Sequence, residues 1–136
     1  MPGRGTSSKR GRGLEDKVAE LALSLGLEVE RQVKIGRRIW GSERRIDLIV
    51  RKKGTDKVLG IECKYQGVSG TAQEKIVATI KDMQQWPIPG IVVIDGEGFT
   101  GGMKGLLFST GKVIEFADLK DWLCWYFLLD ECDEQD

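Results

Sequence analysis

No histidine occurs in the 136 residues, and the three cysteines, Cys63, Cys124 and Cys132, show no CxxC spacing. The usual nitrogen and sulfur donor sets for zinc are therefore missing. No apolar run approaches the length of a membrane span, which excludes a transmembrane helix. No internal repeat is visible. There is no excess charge of either sign, because 21 Lys or Arg balance 21 Asp or Glu. An odd cysteine count without a signal peptide predicts a reducing, cytoplasmic setting.

What is present fits one globular domain. Hydrophobic residues make up 40% and charged residues 31% of the chain, enough for one real core at this length. The charge is unevenly spread. Residues 1–12 carry Arg4, Lys9, Arg10 and Arg12 with no acid and read as a flexible basic arm. Residues 31–53 carry nine Lys or Arg against Glu43 and Asp47. Residues 130–136 form an acidic tail, with Asp130, Glu131, Asp133, Glu134 and Asp136 and no base. The domain proper is expected over 13–129. Local charge of this kind, rather than the total, decides what an anionic polymer meets.

The apolar pattern predicts the elements. Leu14, Val18, Leu21 and Leu25 recur at helical spacing, and Gly26 closes that helix. Residues 27–35 alternate as a strand, and Gly36 and Gly41 lie in a turn. Residues 44–52 and 57–65 read as an antiparallel hairpin around Gly54-Thr55-Asp56. Thr71-Ala72-Gln73-Glu74 is a capping-box pattern that opens a helix with Ala72, Ile76, Ile80 and Met83 on one face, ended by Trp86-Pro87. Residues 90–95 form a buried strand. Gly96 to Gly105 is a glycine-dense loop, residues 112–116 a short strand, and Asp118 a cap for a last helix from Leu119 to Leu129. The order is αβββαββα, a mixed central sheet flanked by helices.

Charge sits where the pattern predicts sheet interior. Asp47 interrupts Ile46-Asp47-Leu48-Ile49-Val50, and Glu62 and Lys64 lie two apart in Ile61-Glu62-Cys63-Lys64-Tyr65. Residues i and i+2 of a strand share a face. Buried charges are costly unless paired or bound to a metal. An ordinary ion pair on an edge strand is the bland reading. The set Asp47 and Glu62-Cys63-Lys64 on neighbouring strands resembles the PD-(D/E)XK nuclease superfamily, although Ile46 stands where proline often precedes the aspartate. Gly13-Leu14-Glu15-Asp16-Lys17-Val18, followed by Gly26-Leu27, resembles the first helix of phage endonuclease I-type junction resolvases. Archaeal-type Holliday junction resolvases carry a comparable acid there. Lys64-Tyr65-Gln66 and the stretch Gly70 to Ile76 look more like restriction-type members.

The resemblance implies an α/β fold with a restriction-endonuclease-like αβββαβ core and a metal-dependent DNA endonuclease activity on a branched junction or a specific duplex. It also implies host cytoplasm if a phage encodes the chain, and it maps a further metal-site glutamate onto Glu15. Oxygen-only donors favour Mg²⁺ or Mn²⁺, held by Asp47, Glu62, the backbone carbonyl of Cys63, and Glu15 directly or through water. Lys64 would hold the attacking water, stabilise charge on the phosphoryl group, or act as a base, which needs neighbours that favour its neutral form. Gln66 is either an accessory residue that positions water or phosphate, or a surface amide.

Arg37, Arg38, Arg44 and Arg45, with Lys75 on the following helix, form a candidate phosphate track. A solvated charged hairpin is the alternative. Trp40 among these arginines is a stacking side chain or a core cover. Gly96-Glu97-Gly98-Phe99-Thr100-Gly101 matches GxGxxG, but the dinucleotide-binding sheet is missing, so a nucleotide site is rejected. The last helix is apolar nearly all round, which predicts deep burial or a homodimer interface. A DNA-binding module that keeps the nuclease fold without catalysis is the alternative to the enzyme.

Overall fold

The computed structural model describes residues 2–37, 41, 43–66, 72–97, 99 and 101–130. The elements run α1 (Pro2–Ser24), β1 (Glu28–Arg37), β2 (Glu43–Arg51), β3 (Val58–Tyr65), α2 (Ala72–Met83), β4 (Gly90–Asp95), α3 (Gly101–Phe108), β5 (Val113–Glu115) and α4 (Phe116–Tyr126). The sheet order is β1-β2-β3-β4-β5. β1 to β3 form an antiparallel meander, and β4 and β5 add in parallel through helical crossovers. This is the mixed α/β architecture expected of a restriction-endonuclease-like core.

Helices cover both faces. Leu14, Val18 and Ala22 of α1 and Leu119 and Leu123 of α4 pack with Leu48, Val50, Leu59, Ile61, Ile91 and Val93. Ile76 and Met83 of α2 and Leu107 of α3 pack with Ile46, Ile49, Val92 and Ile94 on the other face. β4 is therefore buried on both sides, which its unbroken apolar run requires. Among the described residues no helix is long and apolar enough to cross a membrane.

Three elements differ from the pattern reading. Helix α1 begins at Pro2 rather than near Leu14, so residues 2–12 continue the helix. Proline is well suited to a first helical turn, and extending a nucleated helix costs little per residue. Part of the glycine-dense loop is helix α3. Glycine disfavours helix, but here Leu107 is fully buried against the sheet and tertiary packing prevails. Helix α4 starts at Phe116, with Glu115 as its N-cap residue and no side-chain cap bond, so Asp118 lies within the first turn instead of capping it. There its charge still suits the helix dipole. Thr71 of the capping-box pattern and residues 131–136 of the acidic tail lie outside the described residues.

Trp86 closes the end of α2 onto the sheet. A Cβ built at Gly90 would lie 2.6 Å from the Trp86 ring and 2.8 Å from Met83 Cε. Gly90→Ala should therefore destabilise the fold by about 1–3 kcal/mol through overpacking. Urea denaturation checks this, and a loss under ~0.5 kcal/mol would contradict the packing account.

Candidate active site

The sheet comes apart locally at Asp47. The β2–β3 ladder runs from Arg51↔Val58 to Leu48↔Ile61 and stops there. Two residues further along β3, the Cys63 N–H donates to Asp47 Oδ2 at 2.9 Å instead of to a β2 carbonyl. The apolar alternation of β2 slips at the same place. Leu48 and Val50 belong to the α1/α4 side, yet Ile46 belongs to the α2/α3 side. A regular strand would send residues 46, 48 and 50 the same way. The slip places Asp47 in the gap, with its carboxylate turned toward β3.

Glu62 lies across that gap and is only 8% exposed. Burial, then the charge of Asp47, pushes its carboxyl up from 4.5 to about 8, with Lys64 pulling the other way. Glu62 lies close enough to Asp47 for both the side chain and the backbone of Asp47 to bear on its carboxyl. Below a pH of about 8 Glu62 is thus the protonated partner beside Asp47. The same burial pushes the Cys63 thiol up, reinforced by the charges of Asp47, Glu15 and Glu62. A thiol held neutral in this way is no nucleophile.

Glu15, on α1, approaches from above the sheet and is 13% exposed. Arg31 holds its Oε2 from Nε at 2.8 Å and from Nη2 at 2.5 Å. Arg31 also bonds Asp16, and these two acids hold the guanidinium firmly charged, Asp16 first. Gln32 Nε2 donates to Glu15 Oε1 at 2.7 Å and lies 3.5 Å from Asp47 Oδ1. Glu15 therefore meets Asp47 through an amide.

Of the predicted residues, Asp47 and Glu62 touch, Lys64 lies close enough to bias Glu62, and Glu15 is one side chain away. The three-carboxylate grip is not preformed: among the described residues no group of three or more His, Cys, Asp or Glu is gathered closely enough to hold a metal ion. The reason is electrostatic. Carboxylates within ~4 Å repel by roughly 4 kcal/mol at an effective dielectric near 20. Here a proton on Glu62, the guanidinium of Arg31 and the amide of Gln32 offset that repulsion. The donors are all oxygens, and the buried carboxyl pair would give up its proton to a hard cation, so the chemistry of the set fits Mg²⁺ or Mn²⁺.

The other candidates lie further out. The Gln66 backbone N–H continues the parallel pairing by donating to Asp95 O at 3.0 Å. Arg44 pairs with Asp82 of α2 at 3.4 Å, both largely buried. Arg45 is half exposed beside Glu43, and Lys75 is exposed on α2. Arg38 and Trp40, and the side chain of Arg37, lie outside the described residues. Arg31 and Gln32 are the contacts that pattern reading misses. Arg31 counts there only as one of many basic residues, and nothing in the sequence marks Gln32.

Residues 6–121 match the family model of the PD-(D/E)XK nuclease superfamily domain. The chain belongs to the PD-(D/E)XK nuclease superfamily. Membership implies a nuclease-type function. The crystal structure of AF1548, a protein of unknown function, shares the fold, with a TM-score of 0.54 at 18% identity over 74% of this chain. This chain spans 54% of that one. No curated protein matches the chain significantly.

The Asp47–Glu62 pair makes stability depend on pH. Unfolded, Glu62 loses its proton near 4.5; folded, it keeps it to about 8. Its contribution is complete below the lower value and is lost as pH rises through the upper one, with a slope approaching ~1.4 kcal/mol per pH unit in between. Urea midpoints measured in EDTA across this window should fall, and Glu62→Gln should flatten the fall. An equal slope in the variant would contradict the assignment.

Proposed function

We propose that the chain is a divalent-metal-dependent DNA endonuclease that hydrolyses phosphodiester bonds by in-line attack of water. One observation carries this reading: a carboxyl pair, a partly buried Asp47 and a buried Glu62, in a gap of the sheet with a lysine beside it. Such a pair stores unfavourable electrostatics that a bound cation would relieve. In this reading Asp47 and Glu62 hold Mg²⁺ or Mn²⁺ with the Cys63 carbonyl, and Glu15 contributes from α1. When bound, the ion supplies Lewis-acid polarisation of the phosphodiester and acidifies water.

The side chains have separate tasks. The Cys63 N–H holds Asp47 Oδ2 and so keeps its carboxylate turned toward β3. Lys64 orients the attacking water or stabilises the negative charge that develops on the phosphoryl oxygens. Arg45 and Lys75, exposed on the same half of the molecule as β2 and α2, belong with Arg37 and Arg38 to the proposed phosphate track. Arg44 joins it only by leaving Asp82. Gln66 is kept as an accessory position at the end of β3. A two-fold dimer through α4 and the turn that follows it, where Trp125 is 70% exposed and Leu128 63%, would present two such sites to two strands.

A second reading has one observation in its favour. Glu15 is clamped by Arg31, as a decayed site would allow, so a non-catalytic DNA-binding module on the nuclease fold is the alternative. Supercoiled plasmid separates the two. Nicking in Mg²⁺ that EDTA abolishes, and that Glu62→Ala and Lys64→Ala each reduce by at least ~100-fold, is expected. Gel-shift binding without cleavage in Mg²⁺ or Mn²⁺ would leave the binding module. A panel of four-way junction, flap and linear duplex then ranks substrates. Binding should weaken with salt, log K falling against log salt at a slope near about −5 if roughly six phosphates are neutralised. A flat dependence would remove the basic track.

A further inference from the structure

Gln32 and Leu128 are the non-glycine residues with positive φ among the described residues, at 52° and 55°. That region is sparsely populated for any side chain with a Cβ, and its occupants often mark functional positions. In β1 it has a visible effect. The ladder pairs Arg31↔Leu48 and Val33↔Ile46, on either side of Gln32 and Asp47. Val29 packs toward α1 and α4, whereas Val33 and Ile35 pack toward α2 and α3. Residues 29, 33 and 35 of a regular strand would share one face. The chain turns over at Gln32, directly opposite the slip at Asp47.

The turnover has a chemical product. Arg31 and Gln32 are consecutive, and a regular strand would point them to opposite faces. Here both reach Glu15, Arg31 at Oε2 and Gln32 at Oε1. Arg31 also binds Asp16 and is 41% exposed, so by itself it draws Glu15 outward. The Gln32 amide, 2.7 Å from Glu15 and 3.5 Å from Asp47, draws it inward. A carboxamide nitrogen carries two donors and no charge. It can link two carboxylates without adding a third anion or competing as a cation.

We propose that Gln32 is a positioning residue, whose carboxamide holds the helix carboxylate Glu15 toward the strand carboxylates Asp47 and Glu62 and so sets the third arm of the cation site. This rests on the reading of that site as a divalent-cation centre. The left-handed backbone at residue 32 is what allows the amide to stand on the same side as Arg31.

Mn²⁺ binding to the full chain, measured by calorimetry with thermal melts alongside, tests the assignment. Glycine adopts φ near 52° freely, so Gln32→Gly should melt no lower than wild type yet bind Mn²⁺ about tenfold more weakly. Gln32→Met, similar in shape but without donors, carries the same expectation for binding should the glycine variant fail to fold. In a Glu15→Ala background the same Gln32 change should have almost no further effect, because the amide acts through Glu15. A change under about threefold in the wild-type background, or an undiminished loss without Glu15, overturns the assignment while leaving the cation site standing. Wild-type protein that binds no Mn²⁺ overturns both.

Discussion

The contact between the carboxyls of Asp47 and Glu62 is the constraint around which the molecule is arranged. Two acids from adjacent strands meet where the β2–β3 ladder has stopped, and one of them is nearly fully buried. In the protein as it stands they coexist because Glu62 keeps its proton and Asp47 receives a hydrogen bond from the Cys63 N–H. Each of these compensations exists only because the strands separate at this level. Had the ladder continued, the Cys63 N–H would face a β2 carbonyl, and Asp47 would point to a helix-covered face with nothing to bind.

The surrounding shell repeats that logic at longer range. α1 carries Glu15 over the gap, and β1 supplies both a counter-charge and a neutral bridge from neighbouring residues. The irregular backbone at Gln32 and the slip at Asp47 face each other across the β1–β2 pair, so one local disturbance of the sheet aims four polar side chains at one region. The rest of the fold supplies rigidity. β4 is buried on both faces beside β3, and α1, α2 and α4 clamp the sheet around it. A site of weakly compensated charge needs such a frame, because relaxation of the strands would otherwise relieve the repulsion by opening the gap.

Much of this was legible in the sequence because it violates a pattern. An aspartate inside Ile46-Asp47-Leu48-Ile49-Val50 and a Glu-x-Lys inside a strand stand out against apolar neighbours, and the element order around them points to one superfamily. Glu15 was legible only through resemblance, since an acid on an amphipathic helix breaks no rule. Gln32 was not legible at all. Val29, Val33 and Ile35 read as one regular alternation, and no residue type in that run signals the left-handed backbone at Gln32 that reverses it. Helix α3 was hidden by its glycines, because the burial of Leu107 that fixes it depends on tertiary packing against the sheet and α2. Arg44 looked like its exposed neighbours until Asp82 of α2 arrived beside it.

Under the proposed function, the Glu62 proton holds the place of a divalent cation. The most direct measurement is the proton inventory of Mn²⁺ binding at neutral pH, from calorimetric titrations in two buffers of different ionisation enthalpy. The account predicts release of about one proton per ion bound, shrinking as the pH is raised past about 8. Binding that releases no proton at pH 7 would contradict it.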